Sequence, residues 1–284
     1  MSAALHDILR QGAGRLAETL GLDPREARLE VQILLCHVLD KPRSWLISHD
    51  RDEFQTPSSY TDLLARRLSG EPIAYLIGKR EFFGLEFKIT PAVLIPRPET
   101  ELLVELALAR LPENQPCKVL DLGTGSGAIA ISIAKNRPQA TVTAIDQSLE
   151  ALAVARENAA RLDTPNLRLL HSNWFSALAT ETFDLIVSNP PYVEAADPHL
   201  QQGDVRFEPL SALAAGVDGL DDIRRIAAAA PHHLKKPGGW LLFEHGYNQG
   251  EGCREILRQQ GFGGVETIRD LAGLERVSVG LSAD

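Results

Sequence analysis

A chain of 284 residues is long for one compact core and short for three, so one large domain with a small companion is expected. Its 44% hydrophobic and 24% charged residues are the proportions of a globular enzyme and exclude a disordered or fibrous chain. The 29 basic and 38 acidic residues give a formal charge of −9, which repels a phosphate backbone at long range and disfavours a nucleic-acid substrate.

Residues 1–10 lack a long apolar run behind basic residues, so export is not expected. From Leu5 to about Ile77 the apolar residues recur at helical spacing. Ala27, Val31, Leu34, Leu35 and Val38 fall on one helix face, Asp23 and Pro24 stand at the N-cap and first helical position, and Lys41-Pro42 supplies a stop. Residues 1–79 are therefore predicted to form a small all-helical domain. Between Arg80 and Pro98 a strand-like alternation takes over at Phe83, Leu85, Phe87 and Ile89, followed by Pro91, Pro96 and Pro98. This predicts a hairpin and proline-rich bridge over 80–98. A helix should then run to about Arg110. Strands are predicted at 118–122, 141–145, 167–171, 183–188 and 240–244, alternating with helices, and 265–268 with 276–281 as an antiparallel closing pair. The fold expected over 99–284 is thus α/β, a doubly wound, mostly parallel seven-stranded sheet. No apolar run approaches the roughly 18 residues that a membrane-spanning helix needs, so no membrane association is expected. Cys36, Cys117 and Cys253 are far apart and show no metal-ligand spacing, which fits a reducing cytoplasm and predicts no metal site.

Four segments carry the chemistry, each just past a predicted strand. In Lys118-Val119-Leu120-Asp121-Leu122-Gly123-Thr124-Gly125-Ser126-Gly127 a strand enters a glycine-rich turn, with helix expected from Ala128. Glycines let the backbone approach a ligand, and the free N–H groups of a helix start favour a negative group. Asp121, Gly123, Thr124, Gly125, Ser126 and Gly127 are therefore candidate cofactor contacts. The spacing also satisfies the looser dinucleotide fingerprint with Ala128 in place of its last glycine, so a nicotinamide cofactor stays open at this point. Asp146 follows the next strand, roughly 20 residues beyond the glycines, where a carboxylate accepts from both hydroxyls of a ribose; it also stands where it can cap the helix near Ser148. An adenosine-containing ligand follows. After the third strand, Trp174 can lie against an adenine ring and Asn173 can meet its edge.

Asn189-Pro190-Pro191-Tyr192 stands directly after strand 183–188, level with Gly123 and Asp146, at the carboxyl ends where open α/β sheets bind ligands. An amide nitrogen is a poor nucleophile because its lone pair is delocalised into the carbonyl. The Asn189 side-chain carbonyl and the Pro190 backbone carbonyl can each accept one N–H of an NH2 group and turn its lone-pair axis toward a sulfonium methyl. Pro190 biases Asn189 away from helical geometry and Pro191 stiffens the turn, so both acceptors are fixed beforehand. Tyr192 offers a flat face to a planar amide or base. Asn189, Pro190 and Tyr192 are the candidate catalytic residues, Pro191 completes the substrate site, and Asn189 also faces the cofactor. Together the four segments predict a class I S-adenosylmethionine-dependent methyltransferase acting on a planar amide-like or amine-like nitrogen.

Over nearly its whole length the sequence resembles the bacterial peptide chain release factor N5-glutamine methyltransferases, the PrmC/HemK family. The resemblance is carried by Asn189 to Tyr192 together with Gly70-Glu71-Pro72-Ile73-Ala74-Tyr75-Leu76, Arg80-Glu81-Phe82, Leu94-Ile95-Pro96-Arg97-Pro98-Glu99-Thr100-Glu101 and Gly203-Asp204-Val205-Arg206-Phe207-Glu208-Pro209. Glu244-His245-Gly246 with Gln249-Gly250 adds a further segment. The resemblance implies methylation of the side-chain amide in the Gly-Gly-Gln motif of release factors 1 and 2, with those proteins as partners and no direct nucleic-acid binding. It implies cofactor contacts from Gly123 to Gly127 and at Asp146, Trp174 and Asn189, and a substrate amide site at Asn189 to Tyr192. Asn173 departs from the acidic residue the family often carries there. Arg97 and Glu99, in the proline-rich bridge, could reach the cofactor or the release factor, with surface solvation and helix-start charge pairing the preferred readings; His245, His232 and His233 are expected as structural, and the helical domain as the dock for the protein substrate. Three other functions remain open on sequence: a DNA adenine-N6 methyltransferase, a ribosomal-protein glutamine methyltransferase, and a catalytically silent cofactor-binding module.

Overall fold

The computed structural model describes residues 2–283, and the chain divides into two compact units. The first joins the residues up to Gly78 with a later segment, Gln201–Phe207, and the second holds Lys79–Leu200 and the chain from Glu208 onward.

The first unit runs β1 (Ser2–Ala4), α1 (Leu5–Leu20), α2 (Pro24–Leu39), α3 (Arg43–Ser48), β2 (Glu53–Gln55), α4 (Ser58–Leu68) and α5 (Ile73–Ile77). α2 begins as expected, with the Asp23 carboxylate accepting the Arg25 N–H at 2.8 Å and Pro24 at the first helical position. Its apolar face, Ala27, Val31, Leu34 and Leu35, is fully buried beside Leu5, Leu16 and Leu46. Burying each large side chain of that set contributes about 1.5–3 kcal/mol. An antiparallel pairing of β1 with β2 accompanies the helices; strands of three residues are too short to leave a periodic trace. The later segment is held by Arg67 of α4, whose side chain is 4% exposed. Its Nε and Nη2 donate to the Glu30 carboxylate at 2.7 and 3.0 Å, and Nη1 donates to Asp204 Oδ1 at 3.0 Å. Arg206 of the same segment donates to the Ser69 carbonyl at 2.8 Å and lies across Gly70, where any Cβ would strike its guanidinium.

The second unit opens with a hairpin of β3 (Lys79–Phe82) and β4 (Leu85–Lys88). There follow α6 (Glu101–Arg110), β5 (Cys117–Leu122), α7 (Ala128–Asn136), β6 (Ala140–Asp146), α8 (Leu149–Arg161), β7 (Leu167–His171), β8 (Leu185–Ser188), α9 (Asp221–Ala229), β9 (Trp240–Glu244), α10 (Gly250–Gln259), β10 (Phe262–Arg269) and β11 (Glu275–Ser282). The sheet order is β10-β11-β9-β8-β5-β6-β7, with parallel pairing from β7 through β9 and β11 antiparallel to both of its neighbours. From β5 the chain builds outward through β6 and β7, then returns to add β8 and β9 on the other side. The switch point therefore lies between β5 and β8, at the carboxyl ends where such sheets open a crevice.

Two local expectations shift. The hairpin alternation was read from Phe83, but Phe83 sits in the turn at φ 51 and Phe82 is the buried partner of Phe87. The strand expected from residue 183 starts at Leu185, because the Phe183 N–H donates to the His233 carbonyl and the Phe183 carbonyl accepts from Lys235 instead.

Candidate functional site

The glycine-rich turn after β5 is held in place from several sides. Gly123, Gly125 and Gly127 have φ of 72, 55 and 84°, a left-handed region that other residues enter only under strain. The Thr124 N–H donates to the Ile145 carbonyl at 2.8 Å, and its hydroxyl donates to Asp121 Oδ2 at 2.6 Å. From α8 the buried Asn158 amide donates to the Ser126 carbonyl at 2.9 Å and to the Lys88 carbonyl at 3.0 Å, which ties the turn to the hairpin. Asp121 is fully buried, and desolvation pushes its carboxyl up to about 7.

At the end of β6, Asp146 Oδ2 accepts the Gly125 N–H and Oδ1 accepts the Ser148 N–H, both at 2.9 Å. Each carboxylate oxygen keeps a lone pair for another donor, so the group can cap the backbone and still take a vicinal diol. The helix cap itself is Ser148, whose hydroxyl accepts the Ala151 N–H at 3.1 Å. Beyond β7, Trp174 stands at φ 47, an uncommon backbone for a bulky side chain, with its carbonyl held by the Ser172 hydroxyl at 2.6 Å. Its ring lies over Gly123, 3.6 Å from where a Cβ would be.

Asn189 follows β8 and sends its Nδ2 to Thr100 Oγ1 at 3.2 Å. Behind it the Tyr192 hydroxyl donates to Glu244 Oε1 at 3.1 Å, and Gln249 Nε2 donates to the Tyr192 carbonyl at 2.9 Å. Burial first, and then the neighbouring Glu244 charge, raises the Tyr192 phenol well above its ordinary range, so it stays a hydrogen-bond donor rather than a base.

These strand ends enclose a cavity of about 560 Å³, inside the range of roughly 300–1,000 Å³ usual for small-molecule sites. Gly123, Thr124, Gly125, Ser126, Asp146, Asn173, Trp174, Asn189 and Pro191 line it. Asp121, Gly127, Pro190 and Tyr192 do not. Asp121 acts on the turn from beneath through Thr124, and a Cβ on Gly127 would stand 2.9 Å from Ile131 Cδ1, so its constraint is helix packing. Pro190 is buried and Tyr192 packs against the core below the sheet edge.

Comparison with known proteins agrees with this geometry. Residues 99–204 match the Methyltransferase small domain and residues 7–78 the PrmC N-terminal domain. A release factor glutamine methyltransferase of Vibrio cholerae is 50% identical, with 99% of this chain and 97% of that protein aligned. One from Bordetella pertussis is 52% identical over 93% of this chain and 98% of its own length. The chain belongs to the release factor glutamine methyltransferase family. The fold is that of class I methyltransferases: a methyltransferase of Pyrococcus furiosus superposes with a TM-score of 0.54 at 22% identity, covering 79% of this chain and all of that one.

Within this family member the cavity also gathers residues that sequence reasoning left outside the candidate site. Arg97, expected at the surface, lines the cavity and donates to the buried Glu208 at 2.7 Å. Thr100, Asp222 and Arg225 line it as well. Arg97 and Thr100 belong to the segment 94–101 that carried the resemblance, which was the available signal; Asp222 and Arg225 on α9 had none. His245 is structural as expected, with Nε2 at 3.0 Å from Ser278 Oγ and Nδ1 at 2.8 Å from the Gly246 carbonyl.

Proposed function

We propose that this chain methylates the side-chain amide nitrogen of the glutamine in the Gly-Gly-Gln motif of release factors 1 and 2, with Asn189 and Pro190 as the acceptors that aim that nitrogen. The observation that carries the reading is that Asn189, the glycine turn and Asp146 share one cavity.

The methyl donor is S-adenosylmethionine, and the wall suits it. The space over Gly125 is open, with no heavy atom within 4 Å of a Cβ position, so a ligand can approach the backbone of the turn closely there. Asp146 would hold the ribose hydroxyls, and Trp174 with Asn173 the adenine. Gly123 to Ser126 would form the floor, with Gly127 and Asp121 keeping its shape. When bound, S-adenosylmethionine supplies an electrophilic methyl group on a cationic sulfur.

The chain's own work is placement. Asn189 Oδ1 and the Pro190 carbonyl would each accept one N–H of the glutamine amide, which enriches the nitrogen and aims its out-of-plane lone pair. Pro191 and the buried Pro190 hold the turn rigid, and Tyr192 braces it from behind through Glu244. A metal is not required for such a displacement. The helical unit, with the segment 201–207 attached to it, would dock the release factor. That substrate carries a cytoplasmic setting with it, and no helix among the described residues is long and apolar enough to cross a membrane. The −9 charge supports protein rather than nucleic acid as the partner.

The test is mass spectrometry of unmethylated release factor incubated with S-adenosylmethionine and either wild type or Asn189→Ala. One added methyl group on the Gly-Gly-Gln glutamine, reduced at least about 100-fold in the variant, is expected. No gain with wild type would overturn the substrate assignment, and full activity in the variant would overturn the role of Asn189.

A further inference from the structure

Besides Asp146, the ionisable side chains that line the cavity among the described residues are Arg97, Glu150, Asp222 and Arg225. S-adenosylmethionine carries one anionic group, the α-carboxylate of its methionyl tail, beside two cationic centres. A carboxylate that leaves water needs a cation or several N–H donors in exchange. Asp146, Glu150 and Asp222 would repel it. Arg225 pairs with Asp222 on its own helix at 3.3 Å, and its side chain is 68% exposed, so solvent screens its charge. Arg97 is the cation that remains.

Arg97 is held at both its backbone and its side chain. Pro98 confines it to the extended region, where it stands at φ −96 and ψ 144, and its carbonyl accepts the Thr100 N–H at 3.1 Å. Its side chain, 33% exposed, donates from Nη2 to Glu208 Oε1 at 2.7 Å, and the Glu208 side chain is 0% exposed. Glu208 too precedes a proline, Pro209, which lines the same cavity. A guanidinium has five N–H donors and a carboxylate fork takes two, so the pairing sets the plane of the Arg97 head and leaves donors for a ligand. It also balances charge: an uncompensated arginine would repel the sulfonium, whereas an ion pair offers directed N–H groups at little net charge. Arg97 leads into the turn that ends at Thr100, whose hydroxyl accepts from Asn189 Nδ2 after β8. Asp146 ends β6, two strands away from β8, so Arg97 stands toward the methyl-transfer end of the cavity and away from the ribose end.

We infer that Arg97, held by the buried Glu208, binds the α-carboxylate of the methyl donor. The methionyl tail is then gripped on the Asn189 side while Asp146 grips the ribose, and the sulfur is fixed between the two. Arg97 is a binding residue for the donor, and Glu208 a positioning residue that acts through it. The inference rests on the reading of Asp146 as the ribose end.

The test is calorimetry on the full chain with two ligands: S-adenosylhomocysteine, which has the amino-acid tail, and methylthioadenosine, which lacks it. Arg97→Met should weaken the first roughly 10- to 100-fold and leave the second unchanged, which also shows that the variant is folded. Arg97→Met combined with Glu208→Gln leaves no buried charge uncompensated, and should discriminate between the ligands in the same way if the single variant does not fold. Arg97→Lys keeps the charge without the fork and should recover part of the loss. Glu208→Gln alone should lose part of the S-adenosylhomocysteine affinity; full affinity there would overturn its positioning role. Equal losses for both ligands in the Arg97 variants would overturn the inference. So would no loss for either, and a raised KM for release factor would then assign Arg97 to the protein substrate. Asp146→Ala should weaken both ligands alike; if it does not, the ribose reading fails, and the Arg97 comparison still decides where the carboxylate binds.

Discussion

Gly127→Ala and Gly125→Ala separate two reasons for a glycine in the same turn. At Gly127 the backbone stands at φ 84 and at Gly125 at φ 55, so either alanine carries left-handed strain of about 1–2 kcal/mol. Gly127 adds a packing conflict: its Cβ would lie 2.9 Å from Ile131 Cδ1 and 3.4 Å from Ala155 Cβ. Ile131 and Ala155 are both 0% exposed, so no solvent-filled space exists for Ile131 to rotate into. Inserting a methyl group into a filled core costs about 1–3 kcal/mol more. Gly127→Ala should therefore lose about 2–5 kcal/mol of unfolding free energy and Gly125→Ala about 1–2, measured by equilibrium urea unfolding. Affinity for S-adenosylhomocysteine, measured by calorimetry, should rank the other way. The Gly125 methyl would project into the cavity, whereas the Gly127 methyl points into the helix packing. Equal destabilisation by the two alanines would refute the packing argument. Wild-type ligand affinity in Gly125→Ala would refute the assignment of that turn as the cofactor floor.

Asp121→Asn tests the buried carboxyl beneath the turn. Its folded value of about 7 lies above its ordinary 3.8, so the folded state binds that proton more tightly than the unfolded state does. The contribution stabilises fully below pH 4 and is lost as pH rises through about 7. Across pH 5 to 8 the wild type should lose stability relative to Asp121→Asn; parallel stability curves would sink the argument. Arg67→Met leaves the Glu30 carboxylate, 12% exposed, without its guanidinium. A loss of about 2–4 kcal/mol is expected, together with faster tryptic cleavage after Arg206; unchanged unfolding and proteolysis would show the ion pairs to be incidental.

Much of this molecule is legible in its sequence because parallel strands buried on both faces read as short apolar runs between helices. β9 falls on its predicted residues for that reason; β7 does so as an edge strand of half-buried and exposed residues, marked by its leucines rather than by burial on both faces. The hairpin slipped because Phe82 and Phe83 are both apolar, and periodicity alone does not say which of two adjacent aromatics enters the turn. The four strand-end segments could be placed on one edge by the doubly wound rule without knowing any distance. Thr100 was not legible as the partner of Asn189, nor Glu244 as that of Tyr192. The first pair is 89 residues apart and the second 52, and a threonine ahead of a helix or a glutamate closing a strand has an ordinary local explanation. For Arg97 the sequence left reach toward the cofactor and surface solvation both open for a similar reason, since its buried partner Glu208 stands 111 residues away.

The attachment of residues 201–207 to the helical unit has a bearing on how this protein can be taken apart. The backbone passes from one unit to the other at three places rather than one: after Gly78, before Gln201 and after Phe207. A chimera that grafts residues 2–78 onto another methyltransferase would leave Arg67 and Glu30 without Asp204, and would strip Gly70 of the Arg206 side chain that covers it. Modules joined by one crossing can be exchanged by a single recombination event, but these two require a pair of coordinated exchanges. Positions 30, 67 and 204 are therefore expected to change as a set.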